Sequence, residues 1–329
     1  MIRSLIKAGS VLWACGALCS SLALAQTKTE FPTRTITLVV PFTPGGVTDN
    51  NSRIWAKKLS ELLGQSVIVE NRPGAGGNIG TEYVAKAKPD GYTLLYATQG
   101  TMAANKFLYK SLKFDPLRDF EMVHAMFRTP LILVTDAKKN LKTVQDVVAY
   151  AKRPNEQTFY GSAGSGTGTH LTAELFANIT QIKMTHVPYK GSAPAIQDIL
   201  GGRLDLMFDY ASIVGPHIKS GAFTGVTIMS EKRLPILPEV PTMVEQGYPD
   251  GVSYAWSGIV VPKNTPPDIV KVLENAITQL LDDKALIEPF VQTGSEPFYG
   301  MGSDKFRNFV QQEQIKWGDL ITKTGAKIE

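Results

Sequence analysis

Cysteine is nearly absent. The 329-residue chain has two, Cys15 and Cys19, both within its first 25 residues. That segment reads as a secretory signal. Arg3 and Lys7 make a basic start, Val11–Cys19 is apolar, and Ala23-Leu-Ala25 supplies a small-x-small cleavage pattern, with Gln26 as the expected mature start. The apolar stretch is shorter than the ~20 residues that span hydrocarbon, which argues against a membrane anchor. Trp13 before Cys15 and Leu18 before Cys19 argue against lipidation. The expected mature chain has no thiol. It can form no disulfide, no thiolate metal site and no cysteine nucleophile. A chain of about 300 residues is long enough to be held by its core alone.

Charge is sparse and balanced. Charged residues make up 19% of the chain, and the net charge is +4. Removing Arg3 and Lys7, with no acid in that segment, brings it to +2. Nucleic acid, which needs clustered phosphate contacts, is not an expected partner. No later run approaches 18 apolar residues, so the mature protein is expected to be soluble and outside the cytoplasm. That setting disfavours ATP- or NAD-dependent chemistry.

Catalytic signatures are missing too. None of His124, His170, His186 and His217 shares a close spacing with another His and an acid, so no zinc motif is present. The serine hydrolase elbow G-x-S-x-G is absent, because Ala163 precedes Ser165 by two and Tyr160 precedes Ser162 by two. Gly164 and Gly166 are followed by Thr169 where a dinucleotide fingerprint needs glycine, and no Gly-Lys-Ser/Thr follows. We expect no catalytic residue, no metal and no cofactor. A periplasmic esterase pairing Ser165 with His170 is the enzyme alternative.

What the chain does contain is alternation. Thr35–Pro41 reads as a buried parallel strand, Asp49–Leu63 as an amphipathic helix stopped by Gly64, Ser66–Glu70 as a strand, Asn78–Ala87 as a helix and Tyr92–Thr98 as a strand. This is βαβαβ spacing. A second set follows: strands at Thr158–Tyr160, Lys183–Val187, Leu204–Phe208 and Phe223–Met229, and helices at Val144–Ala151, Thr169–Ile179 and Pro194–Leu200. Two long apolar segments, Met122–Thr135 and Ser253–Val261, are the candidate crossings between two α/β units. The helices at Pro267–Leu281, Lys284–Gln292 and Asp304–Thr322 are expected to return to the first unit. The division predicted is domain 1 from 26–127 and 256–329, and domain 2 from 128–255.

Three loops follow strands and open helices, where backbone N–H groups and the helix dipole favour an anion. The first is Phe42-Thr-Pro-Gly-Gly-Val-Thr-Asp49. It reads equally as a plain tight turn capped by Thr48 or Asp49. Asp49 would repel a carboxylate, so it caps the helix, orients water or meets a ligand amine or hydroxyl. The second is Ser162-Ala-Gly-Ser-Gly-Thr-Gly-Thr-His170, with His170 expected to line the cleft. The third is His186-Val-Pro-Tyr-Lys-Gly-Ser-Ala-Pro194, where Lys190 is either a counter-charge or a solvated lysine.

Ile36-Thr-Leu-Val-Val-Pro-Phe-Thr-Pro-Gly-Gly46 through Asp49, Val69-Glu-Asn-Arg-Pro-Gly-Ala-Gly-Gly77, Pro89-Asp-Gly-Tyr-Thr-Leu94, Gly161-Ser-Ala-Gly-Ser-Gly-Thr-Gly-Thr-His170, His186-Val-Pro-Tyr-Lys-Gly-Ser-Ala-Pro194, Gly201-Gly-Arg-Leu-Asp-Leu-Met-Phe-Asp209 and Val240-Pro-Thr-Met243 form seven runs in order along nearly the whole mature chain. In them the sequence resembles the extracytoplasmic solute receptors of tripartite tricarboxylate transporters, the Bug or TctC-like family. The resemblance implies an α/β fold of two domains, a type II-like periplasmic binding-protein clamshell. Each domain would be a mostly parallel sheet flanked by helices, with two crossover segments. It implies capture of a small organic carboxylate and delivery to integral-membrane permease subunits by a monomer in the periplasm. The implied grip is Phe42, Thr43, Pro44, Gly45, Gly46 and Asp49 with Ser162, Ala163, Ser165, Gly166, Thr167 and His170. The implied remaining wall is Thr98, Gln99, Thr101, Tyr189, Lys190, Gly191 and Asp209. Phe42, Tyr210, Tyr254 and Trp256 are candidate apolar neighbours of the cleft, which admits an aromatic acid such as terephthalate as well as a dicarboxylate; they read equally as core or hinge packing. A sensory binding protein signalling to a membrane kinase would use the same clamshell.

Overall fold

The computed structural model describes residues 30–328; the expected signal, 1–25, lies outside them. The first half opens with β1 (Ile36–Val40), α1 (Val47–Leu63), β2 (Val67–Asn71), α2 (Asn78–Ala85) and β3 (Thr93–Thr98). β1 lies between β2 and β3 and is parallel to both. Every residue of β1 except Thr37 is buried, as a strand covered on two faces requires. α1 buries Trp55, Ala56 and Leu59 and ends on Gly64 in the left-handed region. A fully buried π-helical turn, Gly100–Ala104, and the short α3 (Asn105–Leu108) follow. Neither shows in the apolar pattern: the π-helical turn is covered on every side, and α3 is one short turn with Lys106 exposed.

β4 (Phe120–Asp136) is the spine. Beyond it come α4 (Val144–Ala151), β5 (Phe159–Ser162), α5 (Gly168–Thr180), β6 (Thr185–Pro188), α6 (Ser192–Leu200), β7 (Leu206–Tyr210), α7 (Ala211–Lys219) and β8 (Phe223–Ile228). The chain returns through β9 (Tyr254–Pro262) to α8 (Pro267–Leu281), α9 (Lys284–Gln292), β10 (Glu296–Pro297) and α10 (Ser303–Thr324). The expected crossings are β4 and β9. α7 is an element the pattern hid: Gly215 and Pro216 read as breakers, yet the face formed by Ala211, Val214 and Gly215 is buried and the helix continues through them.

The strand order is β2-β1-β3-β9-β4-β7-β5-β6, with β8 and β10 also paired to β4. Two parallel triplets, β2-β1-β3 and β6-β5-β7, lie at the ends. The strands between them are antiparallel, because chain that crosses to the other half must run back. Each half is therefore a mixed sheet. Phe120–Pro130 of β4 pairs with β9, and Leu131–Thr135 pairs with β7. The positions 127/128 and 255/256 fall inside these two unbroken strands.

One apolar cluster runs through both halves, joining Leu95, Met102, Leu133, Phe176 and Phe208 to Phe306 and Trp317 of α10. The C-terminal helix thus packs against residues of both halves. Its seat includes a glycine: a Cβ at Gly258 in β9 would lie 2.5 Å from the Phe306 ring and 2.8 Å from His124 O. We expect Gly258→Ala to destabilise the fold by about 1–3 kcal/mol through overpacking. An unchanged denaturant midpoint would contradict this seating.

Candidate functional site

A cavity of about 1010 Å³ is walled by residues of both halves. The starts of several helices reach it, among them Gly46–Thr48 at α1, Thr167–Thr169 at α5, Gly191 and Ser192 at α6, and Tyr210 and Ser212 at α7. The first N–H groups of a helix have no partner within it. Several such starts around one space make it electropositive without a cluster of basic side chains.

The first loop presents Phe42, Thr43, Gly46, Val47 and Thr48 to the cavity. Gly45 has φ +82, a left-handed conformation that calls for glycine, and with Pro44 it lies on the exposed side of the turn. Asp49 points the other way. It is 2% exposed, and its carboxylate accepts from Gly45 N–H (2.9 Å), Arg53 Nε (3.1 Å) and Asn71 Nδ2 (2.8 Å). Asn71 Nδ2 also donates to Phe42 O at 3.1 Å. Burial pushes the Asp49 carboxyl up, but hydrogen bonds from Arg53, Gly45 and Asn71 outweigh it and hold the group below its ordinary range. Asp49 stays ionised behind the loop and braces it.

The second loop splits in the same way. Ala163, Gly164, Thr167, Gly168 and Thr169 face the cavity. The apex, Ser165 and Gly166, meets the first half instead. Tyr109 Oη donates to Ser165 O at 3.4 Å, and a Cβ at Gly76 would stand 2.5 Å from the same oxygen. His170 lies beneath the loop, 4% exposed, where its Nδ1 accepts from Gly166 N–H at 3.2 Å. Its ring stacks on His186 at 4.1 Å, and His186 stacks in turn on Tyr160 at 4.8 Å. Ser162 Oγ lies 2.6 Å from His186 Nε2. Burial and the neighbouring His186 lower the His170 pKa to about 3, and burial lowers that of His186 to about 4. The Ser165–His170 pairing needed for an esterase is not formed, because the Nδ1 of His170 is taken by Gly166. Ser162, which does meet a histidine, is fully buried.

Of the expected wall, Thr98, Gln99, Tyr189, Lys190 and Gly191 line the cavity. Tyr189 is steadied by its hydroxyl bond to Asp198 Oδ2 at 2.5 Å. Thr101 and Asp209 do not reach it. Thr101 is buried and tied to Thr98, accepting from its N–H at 3.1 Å and donating to its carbonyl at 3.2 Å. Asp209 is fully buried and accepts from Tyr210 N–H at 2.8 Å; burial raises its pKa to about 6 against the lowering effect of Ser192 and Tyr210. Phe42, Tyr210 and Trp256 contribute aromatic surface, although Trp256 also packs edge-on to Phe306 and Phe309. Tyr254 does not line the cavity; the Arg128 guanidinium covers its ring at 4.5 Å.

Sequence reasoning missed Gly74–Gly77, Asn51, Tyr96, Ser257 and a stretch of wall from α9. The glycine run at 74–77 was visible as a loop. Nothing local marked α9, which reaches the cavity only through tertiary packing. Among the described residues, no group of three His, Cys, Asp or Glu is placed to hold a metal ion, and no helix is long and apolar enough to cross a membrane.

The profile of the tripartite tricarboxylate transporter family receptor matches residues 52–326. The chain is 38% identical over 312 residues to protein BugT of Bordetella pertussis, covering 94% of this chain and 95% of that one. Among solved structures it is similar to R. palustris Rpa4515 with adipate, at 35% identity and a TM-score of 0.83, covering 90% of this chain and 98% of the other. MatC from Rhodopseudomonas palustris with bound malate has 30% identity and a TM-score of 0.82, with coverage of 88% and 100%.

The stacked histidines make a pH prediction. Both rings are neutral when folded and take up protons on unfolding below about pH 6.5. Their contribution is complete above that pH and is lost as pH falls toward 4 and 3. The melting temperature of the native protein should therefore drop between pH 6.5 and 4. A His170→Gln/His186→Gln variant should show a shallower drop; equal slopes would contradict a neutral stacked pair.

Proposed function

The chain belongs to the tripartite tricarboxylate transporter receptor family, and from that premise we propose that it captures a small organic carboxylate between its halves and passes it to integral-membrane permease subunits, with no chemistry on the way. The observation that carries this reading is the shared wall: Gly46–Thr48 from one half and Thr167–Thr169 from the other border one cavity. A carboxylate between them accepts hydrogen bonds from both and draws the halves together. Domain 1, 26–127 with 256–329, and domain 2, 128–255, are the bodies that move. The protein acts as a monomer in the periplasm, after removal of residues 1–25.

Micromolar affinity requires about 8 kcal/mol. Hydrogen bonds to charged groups supply roughly 1.5–3 kcal/mol each, so three or four suffice before ordering costs. Thr43, Gly46, Thr98, Gln99, Ala163, Thr167, Tyr189, Lys190 and Gly191 are the contacts we assign. Asp49, Thr101, Ser162, Ser165, Gly166, His170 and Asp209 hold those contacts in place. Adipate in one neighbour and malate in another support an aliphatic diacid. The aromatic edges of Phe42, Tyr96, Tyr210 and Trp256 support an aromatic acid such as terephthalate.

A thermal-shift screen of mono-, di- and tricarboxylates tests the reading. A bound acid at a hundred times its Kd should stabilise the protein by about 2.7 kcal/mol, with no product formed. Gly46 has φ −78, which any residue adopts, so Gly46→Val adds a side chain at the first helix start without backbone strain. We expect the variant to melt like the native chain and to lose the shift. A shift that survives in Gly46→Val, or a full panel without one, would overturn the assignment.

A further inference from the structure

We propose that the cavity has a second compartment, between α1 and α9, that takes the apolar body of the acid whose carboxylate is held at the helix starts. The substrate class is then an organic acid with an aryl or alkyl body, not a compact diacid. This inference rests on the capture reading above.

The cavity does not end at the cleft. The wall of the same volume is of two kinds. Near the helix starts it is glycine, threonine and backbone. Beyond them it is Ile54 of α1, Phe127 of β4, and Leu286, Pro289 and Phe290 of α9. Phe127 and Phe290 are stacked at 4.8 Å with 27° between their planes, and Trp55 meets Phe127 edge-on at 5.9 Å. This wall is rigid, since all three rings are buried. Ile54 lines the same cavity as a large aliphatic side chain that is 43% exposed. One exposed isoleucine is ordinary on a protein surface. Here it borders a cavity with an aromatic wall.

Several polar groups along this stretch are already engaged, although the buried Trp55 Nε1 has no partner. Thr129 Oγ1 donates to Ser295 Oγ at 2.9 Å. Lys58 pairs with Glu61 at 3.0 Å, and the Asp283 carboxylate caps α9 through the N–H groups of Ala285 and Leu286. A second carboxylate placed against Ile54, Leu286 and Phe290 would forfeit its water and gain no hydrogen bond from them. An apolar body would displace water from apolar carbon, which is favourable.

Length points the same way. Val47 and Ile54 are seven residues apart on α1, about 10 Å along its axis. A four-carbon diacid covers roughly half of that. A cavity of about 1010 Å³ is at the upper end of the range that encloses drug-sized ligands.

Calorimetric titration of the purified protein with butyrate, succinate and 4-phenylbutyrate tests the compartment. We expect 4-phenylbutyrate to bind about tenfold more tightly than butyrate. Ile54→Asn is exposed, uncharged and safe for the fold; it should weaken 4-phenylbutyrate about fivefold and leave butyrate and succinate within about twofold. Ala285→Trp, exposed on the facing wall, fills the compartment and should act in the same sense. If the ring adds nothing, or if Ile54→Asn weakens all the acids alike, the compartment is refuted while capture stands. If none of the three acids binds, capture and compartment fail together.

Discussion

The unpaired amide at a helix start is the interaction on which this molecule depends. Several helices from both halves begin at one cavity. Each brings N–H groups that its own helix cannot satisfy, together with the positive end of a dipole. An anion there completes hydrogen bonds that the fold leaves open. Lysine can do this only with a long flexible side chain that must be ordered, whereas the amides are fixed by the backbone. In the proposed reading, that is how a chain of small net charge, +4, presents an anion site.

Fixing the amides is the work of side chains that never touch the cavity. Asp49, an unwelcome charge near a carboxylate, turns its oxygens to Gly45, Arg53 and Asn71 and is neutralised there. His170 and His186 do the matching work under the second loop, where a neutral ring accepts from Gly166 N–H. In both places the polar residue is a strut that holds a glycine-bearing turn at a set shape. The two halves then share β4 and β9, so the loops they carry are positioned relative to one another by continuous strands.

Much of this could be read from the chain. Apolar runs such as Ile36–Val40, the stop at Gly64 and the two long crossings follow from periodicity and from glycine's freedom at positive φ. The three glycine-bearing loops were visible because glycines cluster between a strand and a helix. Direction was not visible. Asp49 and His170 carry the right chemistry for a ligand, but each is turned away by a partner elsewhere in the chain, Asn71 and His186. The wall made by Phe127 and Phe290 unites residues from β4 and α9 that no local pattern links. α7 was hidden by Gly215 and Pro216, whose cost as breakers is outweighed by burial of the helix face.

A crystal structure with a retained carboxylate tests the central claim most directly. The account predicts carboxylate oxygens within about 2.7–3.2 Å of N–H groups at the starts of both α1 and α5, or joined to them by one water. An acid held elsewhere, with both helix starts still facing bulk solvent, would contradict it.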